Sequence, residues 1–224
     1  MPETSSSDQP WQQPGWLSPD DFKASPSVDD WRPLGDAVYA FFATDSFSAS
    51  ARLIQAIADL PADGHQPDVD VRPDGVTVKL TMLTTGRYFC GFSKHEVARA
   101  QQISAVARDL GIAPDPARLQ HVQVSIDALD IPGVMPFWRA ALGYEFRRDT
   151  EEDIVDPRGR GPSFWFQQMA EPRTQRNRIH VDVAVPAEVV AARVDAVLAA
   201  GGRRPDPEHP WILSDSEGNE VCLG

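Results

Sequence analysis

Two histidines, His121 and His180, stand 59 residues apart, each near the start of a β-like run, "HVQVSID" and "IHVDVAV". Neutral imidazole binds borderline divalent metals, and it is also the side chain that moves protons near neutral pH. The stretches around the two histidines share a plan. Strand "HVQVSID", helix "PGVMPFWRAALG" and strands up to "PSFWFQQM" are followed by strand "IHVDVAV", helix "PAEVVAARVDAVLAAGG" and the strands "PWILSD" and "EVCLG". A βα unit with short strands, run twice at one spacing, points to an internal duplication. Each module ends on a strand with an oxygen donor: Gln167 or Gln168 in the first, Glu220 in the second. Alternation along a strand puts His121 in line with Gln123 and Ser125, and His180 in line with Asp182. Across a pseudo-twofold axis, two imidazoles, an amide oxygen and a carboxylate can converge on one divalent ion, whose open positions would take a substrate oxygen.

The segments "HVQVSIDALDIPGVMPFWRAALGYEF", "FWFQQM", "NRIHVDVAV" and "SDSEGNEVCL" resemble, in order, the glyoxalase and bleomycin-resistance group, the vicinal oxygen chelate superfamily, over residues 119–224. The resemblance implies paired βαβββ modules enclosing a cleft, with a divalent metal (Fe, Mn, Zn or Ni) held by His121, Gln167, His180 and Glu220. Glu220 can serve there as ligand or as catalytic base. Gln123, Asp182 and Trp165, which shares a strand face with Gln167, are the implied substrate contacts. The superfamily includes isomerases, lyases, extradiol dioxygenases, thiol transferases and metal-free binding proteins, so the resemblance leaves the reaction open. In "SDSEGNE", Asp215, Glu217 and Asn219 read as turn residues, with Gly218 supplying a positive φ. Phe137 and Trp138 read as the core face of their helix. The arginines of "EPRTQRNR" read as a solvated loop, with anion binding by Arg176 or Arg178 as the alternative.

The turn "GHQPD" (64–68) is the other place where chemistry could sit. His65 can exchange protons, whereas Gln66 can hydrogen-bond but cannot take and return a proton near neutral pH. Before the turn, "SFSASARLIQAIADLP" places Phe47, Ala51, Ile54 and Ala58 on one helical face, ended by Pro61. After it come "DVDVR" and "VTVKLTML", joined by Pro73-Asp74-Gly75. In "SKHEVARAQQISAVARDLG", Ser93 and Glu96 form a capping box, Val97, Ala100, Ser104 and Ala107 mark one helical stripe, and Gly111 suits the position after the C-cap. The segments "FFATDSFSASARLIQAIADLPADGHQPDVDV", "VTVKL" and "CGFSKHEVARAQQIS" resemble the pterin-4a-carbinolamine dehydratases, over about residues 16–110. The resemblance implies a small antiparallel sheet with helices on one face, and a His-His-Pro turn with a further histidine after the second strand, which together hold the pterin and shuttle protons. His65 and Pro67 match that turn. Gln66 replaces its second histidine, "LTMLTTGRYFCGFS" contains none, and His95 falls at the following helix start. The half therefore reads as a degenerate module whose turn is kept for structure or for binding a ring. The alternative is a 4a-hydroxytetrahydrobiopterin dehydratase, a lyase, using His65.

Composition bounds the partners. The 224 residues carry a net charge of −12, and each half, divided at residue 118, carries −6 without a basic run. That argues against nucleic acid or an anionic membrane and for a small-molecule substrate. Cys90 and Cys222 lack the spacing of a zinc knuckle or a disulfide framework. No apolar stretch reaches bilayer length, and the polar start "MPETSSSDQPWQQPG" is unlike a signal peptide. The expectation is a cytoplasmic α+β protein: a tail at 1–15 without fixed structure, a dehydratase-like domain at 16–110, a proline-rich linker "GIAPDPAR" at 111–118 and a glyoxalase-like domain at 119–224. Both resemblances imply a homodimer. The expected function is a metal-dependent glyoxalase-like cleft acting on a small oxygen-bearing molecule, with pterin dehydration and metal-free small-molecule binding as the alternatives.

Overall fold

The computed structural model describes residues 16–61, 66–81, 83–84, 90–147, 153–172, 175 and 179–223. Contacts divide the chain into two compact units, one ending at His121 and one beginning at Val122. The first contains β1 (Trp16–Leu17), α1 (Pro19–Ala24), β2 (Arg32–Leu34), β3 (Ala37–Ala43), α2 (Phe47–Ala58), β4 (Asp68–Arg72), β5 (Gly75–Thr81), β6 (Leu83–Thr84), β7 (Cys90–Ser93) and α3 (Lys94–Asp109). Its main sheet is antiparallel in the order β2-β3-β5-β4, beside a small sheet β1-β7-β6. Alternation makes one face of the main sheet apolar: Val38, Ala40 and Phe42 of β3 lie opposite Leu80, Val78 and Val76 of β5. These residues share one core with Leu53 and Ile57 of α2 and Ala100, Ile103 and Ala107 of α3.

One expectation needs correction in this unit. The buried stripe of α2 is Ala49, Ser50, Leu53 and Ile57, not Phe47, Ala51, Ile54 and Ala58. Phe47 is 71% exposed. The helix has apolar residues on two neighbouring stripes, and the one with two large branched side chains at i and i+4 takes the core. Residues 111–118, expected to link the two domains, are hydrogen-bonded to β3. Ala43 N–H donates to the Ala113 carbonyl and Asp115 N–H to the Phe41 carbonyl, and Phe42 bridges Pro114, so the segment pairs with β3 beyond the end of β2. The remaining signals of α3 are realised. Ser93 and Glu96 form the capping box. Gly111, at φ +71°, donates to the Arg108 carbonyl while Ile112 N–H reaches back to Ala107, a Schellman stop.

The second unit is two βαβββ modules. The first comprises β8 (Gln123–Ala128), α4 (Ile131–Leu142), β9 (Glu145–Phe146), β10 (Asp153–Val155) and β11 (Ser163–Gln168), in the sheet order β8-β11-β10-β9. The second comprises β12 (Val181–Val183), α5 (Ala187–Ala199), β13 (Ile212–Ser214) and β14 (Glu220–Leu223), in the order β12-β14-β13. Arg203, bridged to Ser214, occupies the place of the missing strand. In each module the first strand pairs parallel with the last: Gln123 faces Ser163, and Asp182 faces Cys222. All of these positions, and the turn residues Asp156 and Asp215, are related by the same 59-residue offset. The inner faces of both sheets, with α4 and α5 between them in sequence, contribute to a single core containing Phe137, Trp138, Phe164, Phe166, Val197 and Val221.

The turn between β13 and β14 ties the second module to the first. Asp215 is 1% exposed. Its carboxylate accepts from the Glu217 and Asn219 backbone N–H groups, both at 2.9 Å, from Asn219 Nδ2 at 2.8 Å and from Trp138 Nε1 of α4 at 3.1 Å. Glu217, two residues on, accepts from Leu129 N–H at 2.8 Å and Asp130 N–H at 2.7 Å. A carboxylate at the start of a helix satisfies unpaired donors and complements the helix dipole. These residues are thus more than turn formers. Among the described residues no helix is long and apolar enough to cross a membrane. Replacing Asp215 by Ala strands four donors, one of them a buried indole, and is expected to cost ~3 kcal/mol in urea unfolding. A loss below ~1 kcal/mol would mean that the turn does not hold the modules together.

Candidate functional site

Strand alternation decides which side chains of the second unit are available to a ligand. On β8 and β11, Ile126, Ala128, Phe164 and Phe166 are buried in the core, while Gln123, Ser125, Asp127, Ser163, Trp165 and Gln167 lie on the other face. Trp165 is half-buried opposite Ser125, and Gln123 is exposed opposite Ser163. The second sheet repeats the pattern. Val181, Val183, Val221 and Leu223 pack into the core. Asp182 and Cys222 are opposed on the face turned away from it, and Glu220 shares that face with Cys222.

That face brings together two of the expected residues. His180 Nε2 lies 3.1 Å from Asp182 Oδ1, with the two side chains 54% and 77% exposed. An imidazole that donates from Nε2 to a carboxylate keeps Nδ1 as its acceptor, so the pair presents an oriented base to solvent. The register continues by one residue from the Val181–Val221 pair to place His180 level with Glu220. Cys222 completes the cluster. Its thiol is pushed up by burial and then by the neighbouring Asp182 charge, so it remains protonated near neutral pH and acts as a weak donor rather than a nucleophile.

The four residues expected to hold a metal have different surroundings. His121 precedes β8 and belongs to the first unit. Its ring fills the space over Gly35, where a Cβ would meet His121 Nε2 at 2.5 Å. Gln167 faces Asp127, four residues beyond Gln123 and so ~13 Å along the sheet from the strand's start. The 59-residue offset makes Gly161, which has no side chain, the counterpart of Glu220. Gln168 is committed elsewhere: its amide nitrogen donates to the Leu129 carbonyl at 2.8 Å and the Met169 carbonyl at 3.0 Å. Among the described residues no group of three or more His, Cys, Asp or Glu is placed to hold a metal ion. Sequence reading missed Ser163 and Cys222. Applying the 59-residue offset to the ends of the last strands, and not only to the histidines, would have found both.

In the first unit, His65 lies outside the described residues, as do Arg176 and Arg178 of the second. Gln66 is exposed, and its Oε1 accepts from Arg99 Nη2 at 3.4 Å. Arg99, 3% exposed in the middle of α3, also donates from Nη1 to the Pro61 carbonyl at 3.0 Å. One buried guanidinium therefore contacts both Pro61 and Gln66. Nothing in the helical pattern of α3 singled out this arginine, because it stands beside an alanine-rich stripe where long charged side chains are usually solvent-facing.

Residues 123–224 match the family described as "Glyoxalase-like domain". A curated protein of Nocardia farcinica, "Putative pterin-4-alpha-carbinolamine dehydratase", is 30% identical over 82 residues, which are 36% of this chain and 82% of that protein. Among solved structures, a hypothetical protein, SA1046, from S. aureus is similar at 17% identity and a TM-score of 0.36, covering 47% of this chain and 92% of that one. The fosfomycin resistance protein FosX from Listeria monocytogenes is similar at 14% identity and a TM-score of 0.35, covering 49% and 91%. The βαβββ assignment itself rests on the strand order within the second unit.

Cys222 reports on the electrostatics of the His180–Asp182 face. Because Asp182 helps to hold its thiol in the protonated form, Asp182→Asn is expected to speed alkylation of Cys222 by iodoacetamide at pH 8, read by peptide mass spectrometry. An unchanged or slower rate would show that the carboxylate does not act on the thiol.

Proposed function

The chain belongs through its N-terminal half, as a distant member, to the pterin-4-alpha-carbinolamine dehydratase family, and from that premise we propose that its working site is nonetheless in the glyoxalase-like unit. There it binds a small oxygen-bearing molecule against the core-distal face of β12 and β14. The observation that carries this reading is the His180–Asp182 pair at 3.1 Å. Asp182 fixes the imidazole tautomer, leaving Nδ1 to accept a proton or a hydrogen bond from a substrate hydroxyl. Glu220 is an acceptor or base at the same level of the sheet, and the protonated Cys222 is a donor beside it. Gln123 and Trp165 are the first module's polar and aromatic contributions. This reading assigns no step to a metal, since among the described residues no group of three or more His, Cys, Asp or Glu is placed to hold one.

The first unit is proposed to serve as a scaffold or ring-binding module rather than as a dehydratase. The support is the Arg99–Gln66 contact: at the position of the family's second histidine stands an amide that is held by a buried cation and does not titrate. The competing reading, dehydration by His65, keeps its support from the identity to the Nocardia protein.

Two measurements separate these readings. A thermal-shift screen of 2-oxo acids, 2-hydroxy acids and catechols is expected to find a stabilising compound. At a hundredfold excess over Kd its effect would be about 2.7 kcal/mol. The shift should persist in EDTA and vanish in His180→Ala; loss of the shift in EDTA would overturn the metal-independent reading. In the second measurement, the full chain is expected to accelerate dehydration of a 4a-hydroxytetrahydropterin by no more than about twofold, against the hundredfold or more typical of positioned acid–base groups. A large acceleration abolished in His65→Ala would establish the dehydratase instead.

A further inference from the structure

The first unit contains a cavity that none of the motifs above uses. It has a volume of about 290 Å³ and lies beside the C-terminal turns of α3, where Asp30, Phe42, Ser104, Arg108, Ile112 and Pro114 line it. Its walls are fixed by hydrogen bonds that do not depend on a ligand. The loop before β2 is pinned to α3 twice: Gln101 Nε2 donates to the Pro26 carbonyl at 2.7 Å, and Trp31 Nε1 donates to Ser104 Oγ at 3.0 Å and the Ala100 carbonyl at 3.2 Å. The opposite wall is held by Ile112 N–H on the Ala107 carbonyl and Ala43 N–H on the Ala113 carbonyl, both at 2.9 Å. Phe42 lies fully buried beneath it. A site whose walls are already ordered spends little binding energy on ordering itself.

The polar groups around the cavity are of three kinds. Ser104 is 2% exposed; its oxygen already accepts from Trp31, which leaves its own proton to donate. Asp30 and Arg108 carry opposite charges, and neither side chain has a hydrogen-bond or ion-pair partner among the described residues. A simple anion would meet Asp30, and a simple cation would meet Arg108. A zwitterion satisfies both, with its carboxylate on Arg108 and Ser104 and its ammonium on Asp30. Ile112 and Pro114 offer an apolar surface to the rest of the molecule. The volume is at the small end of ligand pockets, which run from about 300 Å³ upward.

We propose that this cavity is a binding site for a free α-amino acid with an apolar side chain, separate from the site on β12 and β14. The test is calorimetric titration of the full chain with L-leucine and with two truncated probes: 4-methylpentanoate, which lacks the ammonium, and isoamylamine, which lacks the carboxylate. Leucine is expected to bind at one site, and each truncated probe about tenfold or more weakly, as the loss of a charge-assisted contact requires. Asp30→Asn and Arg108→Gln, neither of which removes a packing or hydrogen-bonding contact of the fold, are each expected to weaken leucine by a similar factor. Absence of leucine binding at ~10 mM, equal binding of all three probes, or unchanged affinity in both variants would overturn the proposal.

Discussion

A single buried carboxylate holds the second unit in its paired form. Asp215 stands at the tip of the last hairpin, yet its charge is directed inward, to its own turn and to the indole of Trp138 in the other module's helix. Burying a carboxylate is costly unless its lone pairs are satisfied, and here four donors do so. The arrangement fixes the direction in which β14 leaves the turn. That direction sets the parallel register against β12, and the register decides that Asp182 and Cys222 face one another. The chemistry available on the sheet thus descends from a turn that carries none of it. The first module solves the same problem with Asp156, whose acidity is enhanced despite partial burial because backbone N–H groups of Arg158, Gly161 and Arg160 donate to it.

The duplication was legible in the sequence, and so were both βαβββ modules, because hydrophobic alternation and the repeat spacing survive in the residues themselves. The site was legible only in part. His180 and Asp182 share a face by alternation, a local property that needs no knowledge of the partner strand. Which residue of β14 lies opposite Asp182 is a matter of register between segments some forty positions apart, and a two-residue error exchanges Glu220 for Cys222. Gln167 stands one residue before the end of β11, opposite Asp127, a placement that only the register between β8 and β11 reveals. The surroundings of His121 were not legible either. Its run "HVQVSID" reads as a strand from the first residue, whereas pairing begins only at Gln123 and the histidine packs on Gly35 of the first unit.

In the first unit, the sheet, the capping box and the Schellman stop all follow from short-range signals and appear where those signals place them. The contact that distinguishes this chain is long-range: Arg99 reaches from α3 to Pro61 and Gln66. A guanidinium supplies fixed donors and does not titrate in the range where a histidine would. The proposed scaffold role of the unit rests on this contact. The misplaced stripe of α2 has a long-range origin too, since two local patterns were equally good and only the tertiary partner could choose between them.

The central claim is that this chain arranges its polar chemistry around His180 and Asp182 without a shared metal centre. Elemental analysis of the full chain, purified without chelator and measured beside His180→Ala, tests it most directly. The account predicts divalent metal far below stoichiometry in both proteins, before and after incubation with Fe, Mn, Zn or Ni. Near-stoichiometric metal in the unmodified chain, lost on substitution of His180, would contradict it.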